Sequence, residues 1–281
     1  MSRRCRTAIT LLVVLGVLIA LLVAVVVVFT RIPNHQPLPG EQRCVFTANG
    51  RSAAIDTEQA HYASIIAGVS VRRGLPARAA SIALATAYQE SNIRNLDHGD
   101  RDSVGLFQQR PSQGWGSKKK LMDPYYATNR FYRALVKIDD WEHSDITEIA
   151  QQIQISGFPE AYRDHEADAR VLASVLTGHS PAGIECLIRE PGEGDAVGLT
   201  GSLRKTFKIE PDRTGGSIAI SAESTELAWA YAQYAVANAR DYGVREVRIG
   251  SKQWTTDDSS LAGWTAAHSP INSRSIKIIT R

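Results

Sequence analysis

Metal-binding patterns, nucleophile motifs and concentrated positive charge are all lacking in this chain of 281 residues. The seven histidines are scattered, with no pair at helical ligand spacing, so we expect no metal site and no metal cofactor. No Gly-x-Ser-x-Gly sequence is present, which removes the usual signal of a serine hydrolase. The formal net charge is only +3, and Lys118–Lys120 is the one tight basic cluster. A nucleic-acid partner is therefore not expected.

Residues 8–30 form the one long apolar run. As a helix it would reach about 34 Å, which is enough to cross a hydrocarbon core of about 30 Å. A cleaved signal peptide is the alternative, but its apolar core is usually about 7–15 residues long and ends in small residues, which residues 29–33 do not offer. Three arginines precede the run and one follows it directly. This predicts a single-pass plasma-membrane protein with residues 1–7 in the cytoplasm and the rest outside.

Three cysteines are present, and the predicted topology separates them. Cys5 would face the cytoplasm, whereas Cys44 and Cys186 would lie in an oxidising exterior that permits a disulfide. Two unrelated buried thiols are the alternative. We expect the disulfide, which would close a loop of more than one hundred residues and stabilise the fold by about 4–5 kcal/mol.

A mostly apolar stretch, residues 79–88, predicts a buried helix that ends at Glu90. A carboxylate at the end of a buried helix is partly removed from water, which raises its pKa and keeps a proton available near neutral pH. A general acid acting on a glycosidic oxygen needs this property. The alternative is that Glu90 is a solvated surface residue, as glutamates near helix ends commonly are.

Two short motifs favour the catalytic interpretation. Glu90-Ser91, followed after a polar segment by Gly105-Leu106-Phe107-Gln108, resembles the signature of the soluble lytic transglycosylases of the lysozyme-like superfamily. The resemblance extends over about residues 57–178. Residues 105–116 are also similar to a set of membrane-anchored actinobacterial wall proteins. The resemblance implies an α-helical lysozyme-like domain and a peptidoglycan glycan strand as partner.

The resemblance also implies roles for single residues. One glutamate, here Glu90, would act alone, first as acid and then as base. An additional carboxylate, as in ordinary glycosidases, remains the alternative, and Asp97, Asp100 and Asp102 are available for it. Trp115 is either a platform for a sugar ring or a core residue. The residues expected to contact substrate are Ser91, Ser103, Gly105, Leu106, Phe107, Gln108, Trp115 and Tyr162.

Tyr162 is assigned from a third motif of the same family, Ala-Tyr-Asn, whose tyrosine lies near the glutamate. This chain has Ala161-Tyr162 followed by Arg163 in place of the asparagine. The departure weakens the prediction of catalysis.

The remaining patterns predict the division of the chain. We expect an extended spacer over residues 31–50, a lysozyme-like domain over 51–188, a Gly- and Pro-rich linker over 189–216 and a small α/β domain over 217–281. Within the last of these, residues 244–264, with Trp254 and Gly263-Trp264, resemble a module of other actinobacterial secreted wall proteins that ends in a histidine-rich strand. Here only His268 is nearby, so a structural or wall-binding role is expected.

The predicted fold class is thus an α-helical lysozyme-like domain behind a transmembrane helix, followed by a small α/β domain. The predicted function is a membrane-tethered peptidoglycan-cleaving enzyme that uses no cofactor. A non-catalytic wall-binding or scaffold protein is the alternative. No oligomeric state is predicted.

Overall fold

A β-hairpin opens the main folded part in the computed structural model, which describes Gly16 and residues 41–154 and 159–280. Strands β1 (Arg43–Ala48) and β2 (Arg51–Asp56) pair antiparallel. Asn49 and Gly50 join them with φ angles of 51° and 72°, the positive values that a tight two-residue hairpin turn requires. The extended spacer predicted over residues 31–50 therefore ends in a strand.

A series of helices follows the hairpin. Asp56 caps α1 (Thr57–Arg72) through a reciprocal capping box with Gln59. Pro76 immediately precedes α2 (Ala77–Ser91). The later helices of this part are α3 (Lys118–Leu121), α4 (Pro124–Leu135), α5 (Ile146–Gln154) and α6 (Glu166–Leu176), with short 3₁₀ helices at Pro111–Gln113 and Pro159–His165.

Helix α2 is the centre of this part of the fold. Every residue from Ala79 to Tyr88 is buried, which confirms the prediction of a buried helix. Five of these ten residues are alanines, which favour the helix and let neighbouring helices approach closely. Its main neighbours are α1 and α6. The helix ends at Asn92 and Ile93, both in the left-handed conformation with φ near 53° and 54°.

Strand β3 (Ile184–Leu187) completes the first sheet and carries the predicted disulfide. The strand order is β2-β1-β3, and β3 runs antiparallel to β1. Cys44 and Cys186 are paired in the register of these two strands, are both buried and form a disulfide. The predicted bridge is therefore present, and it joins residues 142 positions apart.

The C-terminal part contains a six-stranded antiparallel sheet with the order β4-β5-β9-β6-β7-β8. Side chains alternate between buried and exposed along β5 and β9, so one face of this sheet is covered and the other meets solvent. The elements are α7 (Ala196–Phe207), β4 (Asp212–Thr214), β5 (Ser217–Ser221), α8 (Thr225–Ala237), α9 (Ala239–Tyr242), β6 (Val244–Ile249), β7 (Lys252–Thr255), β8 (Trp264–Ala266) and β9 (Ser275–Thr280).

Helix α8 lies between the second sheet and the first group of helices. It contacts β6 and β9 on one side and α1 and α6 on the other, and all residues from Ala228 to Ala237 are buried. Helix α7 also packs on α1, although it lies within residues 189–216, where a linker is expected. The described residues from 41 onward accordingly share one hydrophobic core.

The predicted fold class is wrong. The described residues form a mixed α/β fold with two antiparallel sheets, and two strands of the first sheet, β2 and β3, lie within residues 51–188, the part expected to be α-helical. The three strands of that sheet are short, four to six residues each, and none of them alternates between apolar and polar residues along its whole length. A periodicity test therefore detects them poorly.

The predicted membrane anchor is also corrected. Among the residues that the structure describes, no helix combines the length and the apolar character needed to cross a bilayer. The run at residues 8–30 lies outside the described residues apart from Gly16, and Cys5 lies outside them as well. The assignment to the plasma membrane, with a cytoplasmic N-terminus, is therefore not retained.

Candidate active site

Glu90 is the second-last residue of α2, and its side chain is only partly exposed. The hydroxyl of Tyr162 donates a hydrogen bond of 2.6 Å to Glu90 Oε1. Tyr162 itself is fully buried in the 3₁₀ helix Pro159–His165. The structure thus brings together two predicted site residues that are 72 positions apart.

Burial raises the pKa of Glu90 above its ordinary value. Hydrogen bonds from the side chains of Tyr162 and Gln154 oppose this effect, since they stabilise the ionised carboxylate. The net pKa shift is upward because the loss of solvation is the larger effect. Glu90 therefore holds a proton at a higher pH than a solvated glutamate does, as a general acid requires.

Gln154 is a site residue that the sequence reasoning missed. It ends α5, and its Nε2 donates a hydrogen bond of 2.6 Å to the carbonyl oxygen of Phe107. The same side chain thus contacts Glu90 and the backbone of the Gly-Leu-Phe-Gln motif. A glutamine at the end of an amphipathic helix carries no motif, so only the fold reveals this role.

The segment that follows α2 is fixed to it by Ser91. Its hydroxyl lies 3.0 Å from the carbonyl oxygen of Ala87 and 2.7 Å from that of Leu106, so the two acceptors share one donor. Ser91 is buried, and these bonds hold the Gly-Leu-Phe-Gln motif against the end of α2. Ser103 is buried too and donates to the carbonyl oxygen of Asp100. The structure gives both serines backbone partners, and their contact with substrate stays a prediction.

The Gly-Leu-Phe-Gln motif forms a tight turn next to the C-terminal end of α2, where Glu90 lies. Gly105 has φ near 81°, and a Cβ there would stand 2.8 Å from the carbonyl oxygen of Leu121, so a side chain does not fit. The side chains of Leu106 and Phe107 are fully buried, and Phe107 stacks on Phe131 with ring centres 4.7 Å apart. Contact of these two residues with substrate stays a prediction. Gln108 is partly exposed, and its Nε2 lies 3.3 Å from the carbonyl oxygens of His98 and Gly105.

Trp115 is partly buried at the edge of a pocket of about 650 Å³. Gln154 also lines this pocket, so the pocket adjoins the surroundings of Glu90. Glu90 is not among the described residues that line it. The other lining residues are Gln113, Arg130, Arg133, Ala134, Val136, Lys137 and Ile153.

The three aspartates considered as a second carboxylate have other surroundings. Asp97 is exposed and lies 2.9 Å from His98 Nδ1, and Asp100 is exposed beside Arg101. Asp102 accepts hydrogen bonds from Arg110 and Ser112, which lower its pKa to about 2. Both carboxylate oxygens of Asp102 therefore contact Arg110 or Ser112 rather than Glu90. The structure therefore gives Glu90 no evident carboxylate partner among these three.

Arg163 stands at the position where the Ala-Tyr-Asn motif has its asparagine. Arg163 Nη1 lies 3.3 Å from Asp145 Oδ2, in the turn that precedes α5.

His165 is a second residue near the site that the sequence reasoning missed. It is buried and stacks on Tyr88, with its Nε2 3.1 Å from Gln89 Oε1. Burial lowers the pKa of His165, so it stays neutral near pH 7. His165 thereby packs Tyr162's helix against α2.

The described residues contain no group of three or more histidine, cysteine, aspartate or glutamate side chains arranged to hold a metal ion. His268 is exposed. No protein-family model matches the chain, and no curated protein is significantly similar to it.

Proposed function

We propose that this protein cleaves the glycan strands of peptidoglycan, with Glu90 as the single catalytic acid and base, as the resemblance to lytic transglycosylases implies. The observation that carries the proposal is the half-buried carboxylate of Glu90, whose pKa is raised by burial and whose Oε1 accepts a hydrogen bond from Tyr162. This pairing joins two separate motifs of the resemblance at one point.

The chemistry uses one carboxyl group twice. Protonated Glu90 donates its proton to the glycosidic oxygen while the bond from that oxygen to the sugar C1 breaks. The Glu90 carboxylate then accepts the proton of the same sugar's 6-hydroxyl as its oxygen attacks C1. An internal anhydro ring forms, the glutamic acid is regenerated and no water is consumed. Such a sequence needs no second carboxylate, which fits the surroundings of the three aspartates.

Tyr162 has two functions in this scheme. Its hydroxyl fixes the orientation of the carboxylate, and it lowers the cost of the ionised state that follows proton donation. Gln154 contributes the same stabilisation and connects the carboxylate to the backbone at Phe107. Tyr162 and Gln154 therefore both stabilise the ionised carboxylate of Glu90, which is the form that exists after the first step.

The proposal is tested with purified protein and insoluble peptidoglycan, with the products separated by chromatography and identified by mass. Wild-type protein should release anhydro-muropeptides, and Glu90→Gln should reduce the rate by about 100-fold or more because the amide cannot donate the proton. Glu148→Gln is the matched control, since Glu148 is exposed on α5. It should retain the wild-type rate.

A second candidate function is non-catalytic binding of the wall. The absence of Glu90 from the described lining of the 650 Å³ pocket favours it, because a substrate in that pocket would contact Gln154 rather than Glu90 itself. Equal binding of wild-type and Glu90→Gln protein, with no soluble product from either, would select this function. Products with an ordinary reducing end would instead indicate hydrolysis by water.

A further inference from the structure

The pocket beside Gln154 is unusually basic for a site that binds a neutral sugar chain. Arg130 and Arg133 lie on α4, and Lys137 follows the end of that helix. The spacing of three residues places the Arg130 and Arg133 side chains on one side of α4. All three cations line the same pocket of about 650 Å³, and its described lining contains no acidic residue.

The described part of the chain also provides no carboxylate partner for these cations. Among the described residues, no carboxylate forms an ion pair with Arg130, Arg133 or Lys137. Arg130 Nη2 donates to the carbonyl oxygen of Gly114 at 2.9 Å, and its buried Nε has no hydrogen-bond partner in the described structure. Other arginines of the fold, such as Arg94 and Arg110, contact carboxylates. The three cations of this pocket thus retain the capacity to bind an anion.

Trp115 adds a surface for a flat or apolar group. The Arg130 guanidinium lies over its ring, 5.8 Å from the ring centre, which holds both side chains at the pocket edge. The Tyr126 hydroxyl donates to the carbonyl oxygen of Trp115 at 3.2 Å and fixes the backbone there. The pocket therefore combines one aromatic face with several fixed or flexible donors.

We propose that this pocket binds carboxylates of the peptide branches attached to the glycan strand, next to the bond that Glu90 cleaves. This inference rests on the proposed function. The sugars of the strand are uncharged once their acid groups carry peptides, whereas the peptides bear free carboxylates. Guanidinium groups bind carboxylates with two parallel hydrogen bonds, and a neutral sugar needs no such cluster of charge.

The position of the pocket gives it a role in choosing the substrate. Gln154 contacts both the pocket and Glu90, so a peptide held in the pocket places its own sugar close to the catalytic carboxylate. Strands that carry peptides are then bound more tightly than strands without them. The preference weakens as salt screens the exposed charges.

The test measures binding in the Glu90→Gln background, so that the substrate stays intact. Arg133→Gln/Lys137→Gln removes two exposed cations of the pocket, and Lys252→Gln/Lys277→Gln removes two exposed cations of the second sheet as the matched control. Each full-length protein is pelleted with peptidoglycan freed of phosphate polymers, and is tested separately with glycan strands stripped of peptides by an amidase.

The pocket variant should bind the peptide-bearing material about fivefold more weakly than its parent, and the control should match the parent. This loss should disappear on the stripped strands and shrink in high salt. An equal loss on both materials, or no loss on the peptide-bearing one, would overturn the proposal. A loss seen only when phosphate polymers are left on the wall would assign the pocket to phosphate instead.

The outcome is independent of catalysis because all proteins compared carry Glu90→Gln. If wild-type protein releases no product but the pocket variant shows the expected loss, the proposed cleavage fails and the peptide-binding pocket stands. If wild-type protein cleaves and the pocket variant binds like its parent, the proposed cleavage stands and the peptide-binding pocket fails.

Discussion

At the scale of single residues, the balance between burial and hydrogen bonding determines the pKa of Glu90. Burial at the end of α2 raises its pKa, and the donors on Tyr162 and Gln154 limit the rise. A carboxyl group buried without donors would stay protonated and would be a poor base in a second step. A fully solvated carboxyl group would lose its proton at a lower pH and would be a poor acid in the first step. The two donors keep both protonation states accessible.

Removing one donor gives a prediction with a defined sign. Tyr162→Phe deletes a hydrogen bond that stabilises the ionised carboxylate, so the pKa of Glu90 should rise further. Glu90 acts as an acid when protonated, and the rate falls as pH rises through its pKa. The alkaline limb of the pH–rate profile should therefore move to higher pH, and kcat should fall by about 10- to 100-fold because ionised Glu90 is less stable.

The measurement is the release of soluble products at a series of pH values, with folding checked by circular dichroism. Tyr125→Phe is a suitable control, because the Tyr125 hydroxyl contacts Ser202 of α7 rather than Glu90. An alkaline limb that stays in place, or moves to lower pH, would contradict the assigned role of the Tyr162 hydroxyl.

At the scale of elements, the close contact between α1 and α7 shows how one glycine permits two helices to pack. A Cβ on Gly68 of α1 would overlap Thr206 Cγ2 and stand 2.9 Å from Phe207 Cζ, so a glycine is needed for the two helices to approach. Both neighbours are buried. This contact is one reason why the segment that follows β3 packs onto the earlier helices instead of forming a free linker.

Gly68→Ala should lower the free energy of unfolding by about 1–3 kcal/mol because the added methyl group overpacks the α1–α7 contact. Gly201→Ala is the matched control within α7, because a Cβ at this exposed position meets nothing within 4 Å. It should raise the same free energy by about 0.5–1 kcal/mol through helix propensity. Urea unfolding followed by circular dichroism measures both. Equal effects of the two substitutions would contradict the described packing.

The molecule as a whole is tied together by α8 and by the disulfide. Helix α8 is buried between the second sheet and helices α1 and α6, so the C-terminal sheet covers apolar surface of the part that carries Glu90. Cys44 and Cys186 connect the start and the end of that part at neighbouring strands. Backbone hydrogen bonds between Cys186 and Ala262 continue from the first sheet to the C-terminal part.

Loss of the disulfide should therefore destabilise the entire fold. For the loop between residues 142 positions apart, the chain-entropy relation gives about 5 kcal/mol for the bridge. Cys44→Ala/Cys186→Ala should lower Tm by at least about 10 °C in a single transition. Calorimetry checks this, with Cys5→Ala as the control and reduced wild-type protein as a second comparison. Two separate transitions, or a change below about 2 °C, would contradict the shared core.

Much of the local structure follows from the sequence because its causes are local. The apolar run at residues 79–88 determines that α2 is buried and that Glu90 sits at its end. Asn49-Gly50 carries the signal for a hairpin turn, which could have revealed β1 and β2 before the structure did. The two separated motifs identified Glu90 and Tyr162 as candidates without showing that they meet.

Only the tertiary structure decided which side chains surround Glu90. Tyr162 reaches it from 72 residues away, and Gln154 reaches it from the end of a different helix. The packing of α7 and α8 against α1, and the position of the α4 cations beside Trp115, likewise depend on contacts between separate segments. Such contacts are set by the combined packing of several elements, and no local propensity or spacing along the chain encodes them.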